Sequence, residues 1–78
     1  MMFYADLWVY PDRVEVRQHG EVIEQIPVNQ KDGEGWATFV LTRVVPQVEQ
    51  SGWQHHGQWH RPRDNDELLA TTFAWRAS

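Results

Sequence analysis

The amino-acid sequence predicts an α+β domain in which one helix packs on one face of a single antiparallel sheet. Apolar and polar residues alternate through residues 1–28, the apolar spacing then becomes helical, and alternation returns after Gly52. The predicted order of elements is therefore β-β-β-α-β-β. Because the apolar stripe of the helix and the inward side chains of the strands each need a partner, we expect the helix to cover one sheet face.

The chain has 78 residues, which is enough for one domain. A domain of this size buries only roughly 60% of the surface of its unfolded chain, so a second core is excluded and residues 1–78 form one unit. Cysteine is absent, which rules out disulfides and thiolate metal sites. Burial of aliphatic and aromatic side chains must therefore hold the fold together.

Residues 1–28 are predicted to form a three-stranded antiparallel meander. Tight turns are indicated at Pro11-Asp12 and at His19-Gly20, because these residue types favour them. The residues that alternate onto one face are, strand by strand, Phe3, Ala5, Leu7 and Val9, then Val14 and Val16, then Val22, Ile26 and Val28. The opposite face of the first strand would carry Tyr4, Asp6, Trp8 and Tyr10.

A helix is predicted over residues 34–51. The apolar positions that would share one side of this helix are Ala37, Val40, Leu41, Val44, Val45 and Val48. Asp32 or Glu34 suits the positive end of the helix dipole, and Gly52 is suited to end the helix. Pro46 lies within the segment, and we expect it to kink the helix or to restart its last turn.

Residues 53–76 are predicted to form a C-terminal hairpin. The residues that share one face of its first strand would be Trp53, His55, Gly57 and Trp59. The final run alternates as a closing strand, with Phe73 and Trp75 on one side. A helix capped by Asp64 or Asn65 also fits the spacing of this run, but its threonine and aromatic content favours the strand.

Candidate catalytic and metal-binding groups are sparse. Three histidines lie close together in the sequence WQHHGQWH, but His56 and His60 would be about 13 Å apart on an extended strand, too far to share one ion. The serines are Ser51 and Ser78, and no glycine-rich phosphate loop is present. We therefore expect no catalytic residue, no bound metal and no cofactor, and a protein that is not an enzyme.

The sheet face opposite the predicted helix is the candidate binding surface. Tyrosine and tryptophan bury a large area for few immobilised torsions, which makes them common anchors of protein interfaces. We predict that a protein partner binds here through Tyr4, Asp6, Trp8 and Tyr10. Two alternatives remain: association with a second copy through the same face, or coverage of the face within the chain by Trp75 or by the hairpin arms.

The charged segment of residues 61–67, RPRDNDE, is predicted to be a loop. Basic residues next to aromatic ones, as in Trp59-His60-Arg61, also occur in nucleic-acid binders, but the acidic residues that follow cancel the local charge. The net charge of −4 likewise makes nucleic acid the less favoured partner. We predict that the loop pairs its own charges or helps to orient a protein partner through Arg61, Arg63, Asp64, Asp66 and Glu67.

The junction at Gly52-Trp53, where a predicted helix runs straight into a strand, resembles that of small uncharacterised bacterial domains. This resemblance covers at most about half of the chain. In size, acidic balance and aromatic content the chain is similar to phage-encoded inhibitors, including anti-CRISPR proteins, and to bacterial immunity proteins. Because the chain is a recognition unit without a catalytic site, this similarity favours a module that inhibits a host complex. The alternatives are a nucleic-acid-binding accessory or regulatory protein, a toxin-immunity protein and a homodimeric structural module.

No membrane association is predicted. No apolar run approaches the roughly 18 residues that a membrane-spanning helix requires. The N-terminal segment reaches Asp6 without a basic region, which is not typical of a secretory signal. We therefore expect a cytoplasmic protein.

Overall fold

Five strands and one helix make up the structure, a computed structural model that describes residues 1–77. The strands are β1 (Met2–Val9), β2 (Arg13–Gln18), β3 (Glu21–Pro27), β4 (Gln54–His55) and β5 (Ala70–Ala77). They form one antiparallel sheet in the order β3-β2-β1-β5-β4, and the helix, α1, spans residues 36–50. The predicted α+β class and the single antiparallel sheet are confirmed.

The predicted meander is formed by β1, β2 and β3. The turn between β2 and β3 has positive φ angles at His19 (54°) and Gly20 (80°), a combination that matches the twist of a two-residue hairpin. The pairing of β2 with β3 contains a bulge, because Val16 pairs with Glu24 whereas the next residue, Arg17, pairs with Val22. Ile23 is therefore the extra residue on the edge strand.

Strand β1 lies in the middle of the sheet and is paired unequally on its two sides. Its pairing with β5 extends over the whole strand, from Met2 opposite Ala77 to Val9 opposite Ala70. Its pairing with β2 begins only at Asp6, opposite Arg17. The first half of β1 consequently projects beyond the end of β2.

Helix α1 has an α-helical start (Trp36–Phe39), a π-helical turn (Val40–Val44) and an α-helical end (Val45–Gln50). Pro46 lies in the first turn of the last part, where its missing N–H and fixed φ are best tolerated. The π-helical turn directly before it accommodates the interrupted hydrogen-bond pattern, so the helix restarts as expected. Among residues 1–77, no helix combines the length and the apolar character that crossing a membrane requires.

The start of α1 differs from the prediction. The helix begins at Trp36, and Gly35 is its N-cap without a side-chain hydrogen bond. Glu34 does not lie in the first turn; its carboxylate instead accepts a hydrogen bond from Arg43 Nε, with 3.1 Å between Nε and Oε1. This ion pair connects the loop before the helix to the π-helical turn.

The core lies between α1 and the inner face of the sheet, which we define as the face that α1 covers. The helix buries Phe39, Val40, Val44 and Val48. Of the strand residues predicted to face inward, Ala5, Leu7, Val9, Val14, Val16 and Ile26 are buried, and β5 adds Ala70 and Ala74. The prediction is wrong for Phe3 and Val22, which are 40% and 42% exposed, because Phe3 lies beyond the end of β2 and Val22 lies next to the bulge; Val28 is half-buried. Trp53 is buried at the end of α1 and donates its indole N–H to Glu24 Oε1 across 3.1 Å.

The predicted apolar stripe of the helix is partly wrong. Leu41 is 65% exposed and Ala37 is also exposed, whereas Phe39, which the stripe leaves out, is buried. A π-helical turn makes i→i+5 hydrogen bonds and advances less per residue than an α-helix, which changes the side to which each residue points. Residues four positions apart, Val40, Val44 and Val48, therefore stay on the buried side.

The C-terminal hairpin is much shorter in its first strand than predicted. Gly57 adopts φ 87°, which ends extended pairing after β4, and a single bridge between His60 and Thr71 follows. Asn65 Oδ1 accepts hydrogen bonds from the backbone N–H groups of Glu67 and Leu68, at 3.1 and 3.2 Å. This turn leads into β5, so the strand prediction for the last segment is confirmed and the helical alternative is wrong.

Two substitutions on the same helix test this packing. Phe39→Ala should lower the free energy of unfolding by about 3–5 kcal/mol, because it leaves a cavity between α1 and the sheet. Leu41→Ala should change it by less than about 0.5 kcal/mol, because that side chain is already in solvent. Urea denaturation followed by tryptophan fluorescence measures both, and a larger loss for Leu41→Ala would contradict the described phase of the helix.

Candidate functional site

The face of the sheet opposite α1, here called the outer face, carries the predicted binding residues. Tyr4, Asp6 and Trp8 alternate onto it from β1, and their cross-strand partners on β5 are Trp75, Phe73 and Thr71. Residues directly opposite each other in an antiparallel pair point to the same side of the sheet. Phe73 and Trp75 therefore join the side chains from β1 on this face.

Three of these residues, Tyr4, Phe73 and Trp75, form what we call the outer aromatic cluster. The rings of Tyr4 and Phe73 are stacked, with centroids 5.6 Å apart and planes inclined by 22°. Phe73 also contacts Trp75, with centroids 6.2 Å apart. Tyr4 is 53% exposed and Phe73 is 44% exposed, so a large part of the cluster faces solvent although its rings already support one another.

Beside the cluster, β2 contributes a charged row to the outer face. Glu15 accepts hydrogen bonds from Arg13 Nε and from Arg17 Nε, each across 3.0 Å. The guanidinium of Arg17 also lies 3.9 Å from the centroid of the Trp8 ring. Trp8 is consequently half-buried, since this cation–π contact covers one face of its ring.

The charged row lowers the pKa of Glu15 from its usual value. The main cause is the hydrogen bond from Arg17, and the hydrogen bond from Arg13 acts in the same direction. Burial acts against both, because the Glu15 side chain is only 9% exposed. The carboxylate is thus held in its charged form by two guanidinium groups.

The predicted exposure of Tyr10 is wrong. Its side chain is only 7% exposed, its hydroxyl accepts a hydrogen bond from Arg17 Nη2 at 3.3 Å, and Arg13 lies over its ring at 4.2 Å. Alternation predicts to which side a residue points, but not that two long side chains of β2 fold over it. The exposed part of the outer face is therefore carried by β1 and β5.

Asp6 lies between the aromatic cluster and the charged row. It is exposed, and its cross-strand partners are Phe73 on β5 and Arg17 on β2. Arg17 nevertheless directs its guanidinium to Glu15 and Trp8, and none of the ion pairs among residues 1–77 includes Asp6. Its carboxylate is available to a cation from outside.

The loop of residues 61–67 does not join this site. Its predicted residues Arg61, Arg63, Asp64, Asp66 and Glu67 are all exposed. In the part of the chain that the structure describes, no ion pair connects them to one another, so self-pairing of the loop is not observed. Arg61 lies over the ring of Trp36 at 5.6 Å, at the start of α1, which places it on the helix side of the sheet.

The histidines are not arranged as a metal site. His55 is half-buried and contacts Trp59, with ring centroids 5.8 Å apart, whereas His56 and His60 are exposed. The described residues include no group of three or more His, Asp or Glu side chains that could hold a metal ion. Trp59 packs against the core, so it is not a free stacking platform beside Arg61.

The sequence prediction leaves Phe73 out of the candidate surface and treats Trp75 only as a possible cover. Their alternation in the last strand was visible, and it correctly places both side chains on one face. The missing information was the pairing of β5 with β1, which brings these rings beside Tyr4. No known family model, curated protein sequence or solved structure matches this chain, so the argument for function starts from these contacts.

The charged row predicts a loss of stability in acid. Because folding lowers the pKa of Glu15, its contribution to stability is complete above the usual value of 4.5 and is lost as the pH falls through the lower value of the folded state. In Glu15→Gln, the free energy of unfolding should therefore fall less steeply below pH 4.5 than in the wild type. Urea denaturation at a series of pH values measures this dependence.

Glu34 provides the comparison, since the hydrogen bond from Arg43 also lowers its pKa. Glu34→Gln should remove a separate part of the acid dependence, and the double variant should remove both parts because the two pairs lie on different elements. Identical acid dependence in Glu15→Gln and the wild type would contradict the assigned role of the charged row.

Proposed function

We propose that this protein is a non-catalytic module that binds another protein through the outer aromatic cluster. The observation that supports the proposal is the contact of Tyr4, Phe73 and Trp75 on the solvent side of a sheet whose other side is covered by α1. Clusters of exposed aromatic rings are the typical centres of protein interfaces. The remaining free face of this sheet is therefore the surface that a partner would cover.

The exposed rings offer enough apolar area to anchor a complex. An aromatic side chain buries about 150–250 Å² when it is fully covered, and Tyr4 and Phe73 each keep roughly half of their surface exposed. At about 25 cal/mol per Å², covering the exposed part of one ring stabilises a complex by about 2–3 kcal/mol. Their mutual contacts keep the rings ordered before binding, which lowers the entropic cost of association.

The charged row would orient the partner rather than supply most of the affinity. Arg13 and Arg17 are held by Glu15 at fixed positions beside the cluster, so they present an ordered pattern of charge. Charges at the edge of an interface mainly affect the association rate and the choice of partner. The resemblance to phage inhibitors extends the proposal to a host complex whose functional surface the bound module would block, as anti-CRISPR proteins do.

A pair of apolar truncations tests the proposal. Phe73→Ala should reduce the amount of partner captured from a lysate of the native host by about tenfold or more, because it removes the central ring of the cluster. Leu41→Ala should leave capture unchanged, since Leu41 is exposed on the opposite side of the domain. Quantitative mass spectrometry of the captured proteins gives the comparison, and circular dichroism verifies that both variants are folded.

The same two variants separate partner binding from self-association. A wild type that has twice the monomer mass of 9.2 kDa in light scattering, and becomes monomeric in Phe73→Ala, would assign the cluster to a homodimer instead. Equal capture by both variants would contradict the proposed role of the cluster.

A further inference from the structure

A cleft lies at the end of the sheet where β1 projects beyond β2. Residues 2–5 have a strand partner on the β5 side, and in the described part of the chain β2 does not pair with them. Here the chain turns back at His19 and Gly20, which leaves a space of about 420 Å³ beside β1. Tyr4 and Phe73 line this space on one side, and Gln18 and His19 on the other. The cleft is thus continuous with the outer aromatic cluster.

The backbone of β1 is directed into this cleft at alternate residues. In an antiparallel strand, the N–H and C=O groups of one residue point to the same neighbouring strand. The Tyr4 carbonyl accepts a hydrogen bond from Gln18 Nε2 at 3.0 Å, so Tyr4 and Met2 direct their backbone groups toward the cleft. The Gln18 side chain therefore makes the hydrogen bond to β1 that the backbone of a neighbouring strand would otherwise make. Unpaired strand edges of this kind bind extended segments by backbone pairing.

The side chains at the cleft favour a cation. Asp6 contributes an exposed carboxylate that takes part in no ion pair of residues 1–77. The stacked rings of Tyr4 and Phe73 lie on the same face and present electron-rich surfaces to a guanidinium or ammonium group. Arg17 also lines the cleft, but its guanidinium is engaged by Glu15 and Trp8. The net charge of −4 adds a general attraction for basic segments.

We propose that this cleft binds an extended segment of a partner protein, which pairs with the edge of residues 2–5 and places a basic side chain, arginine above all, against Asp6 and the stacked rings of Tyr4 and Phe73. This inference rests on the proposed function and specifies the partner's contact segment. The backbone pairing would fix the direction of the segment. The basic side chain would fix its register.

Synthetic peptides test the proposal directly. The probe is a terminally blocked seven-residue peptide of alternating threonine and valine with a central arginine; two matched peptides carry citrulline or glutamate at the centre. In a titration followed by amide chemical shifts, the arginine peptide should bind about tenfold more tightly than the citrulline peptide, which lacks the charge. The shifts should be concentrated at residues 2–6 and at Phe73. The glutamate peptide should bind most weakly.

Backbone pairing is tested by N-methylation of the arginine peptide. Methyl groups on alternate residues remove the N–H groups on one edge of the peptide and leave the other edge intact. One of the two methylation patterns should abolish binding, and the other should preserve it, because only one edge can pair with β1. Equal effects of the two patterns would overturn backbone pairing.

The contribution of Asp6 is tested by Asp6→Asn, with Glu49→Gln as the matched control. Both variants remove one negative charge from an exposed position, but Glu49 lies on α1. Asp6→Asn should weaken binding of the arginine peptide about threefold to fivefold and that of the citrulline peptide much less. Glu49→Gln should change neither affinity by as much as twofold. Equal losses in both variants would overturn a specific contact with Asp6.

Failure of this inference is distinguishable from failure of the proposed function. Equal binding of the arginine and glutamate peptides, or binding of neither, would overturn the inference even where Phe73→Ala still loses the host partner. Selective binding of the arginine peptide would support the inference. Loss of that selectivity in Asp6→Asn would assign it to this cleft.

Discussion

The pairing of β5 with β1 is the interaction on which the rest of the structure depends. It places the first and the last strand of the chain side by side in the sheet. Its register determines which of their side chains lie together on each face. On the inner face it aligns Ala5 with Ala74, and both side chains are buried in the core that α1 covers. On the outer face the same register brings Phe73 against Tyr4. Core and candidate binding surface are therefore consequences of one strand pair.

The outer face is divided between two kinds of contact. On the β2 side, the guanidinium groups of Arg13 and Arg17 donate hydrogen bonds to Glu15 and cover the rings of Trp8 and Tyr10. The polar groups and rings of this half therefore already have partners within the protein. On the β5 side, the rings of Tyr4 and Phe73 stack on each other and keep roughly half of their surface exposed. The outer face therefore combines an ordered, exposed apolar surface with neighbouring charges whose positions are already fixed.

The sequence predicts the parts of this fold that depend on local periodicity. The alternation of β1, β2 and β5 and the restart of the helix near Pro46 follow from residue order and backbone chemistry alone. Tyr10, Leu41 and the length of β4 could not be predicted in this way. Tyr10 is covered by arginines of another strand, and Leu41 is turned outward by a π-helical turn. Gly57 ends the extended pairing after β4 because its φ angle is positive, and the alternation of apolar and polar residues gives no information about this angle.

The bulge in β3 restricts how this sheet can grow. Strand β3 is the longer of the two edge strands of the sheet. Its Val22 and Ile23 are exposed, and exposed apolar residues on an edge strand favour pairing with other molecules into fibrils. The extra residue interrupts the regular spacing of hydrogen-bonding groups, and Pro27 has no N–H to offer at the end of the strand. The bulge and the proline thus work against edge-to-edge addition of a further strand at β3, and the sheet stays limited to five strands.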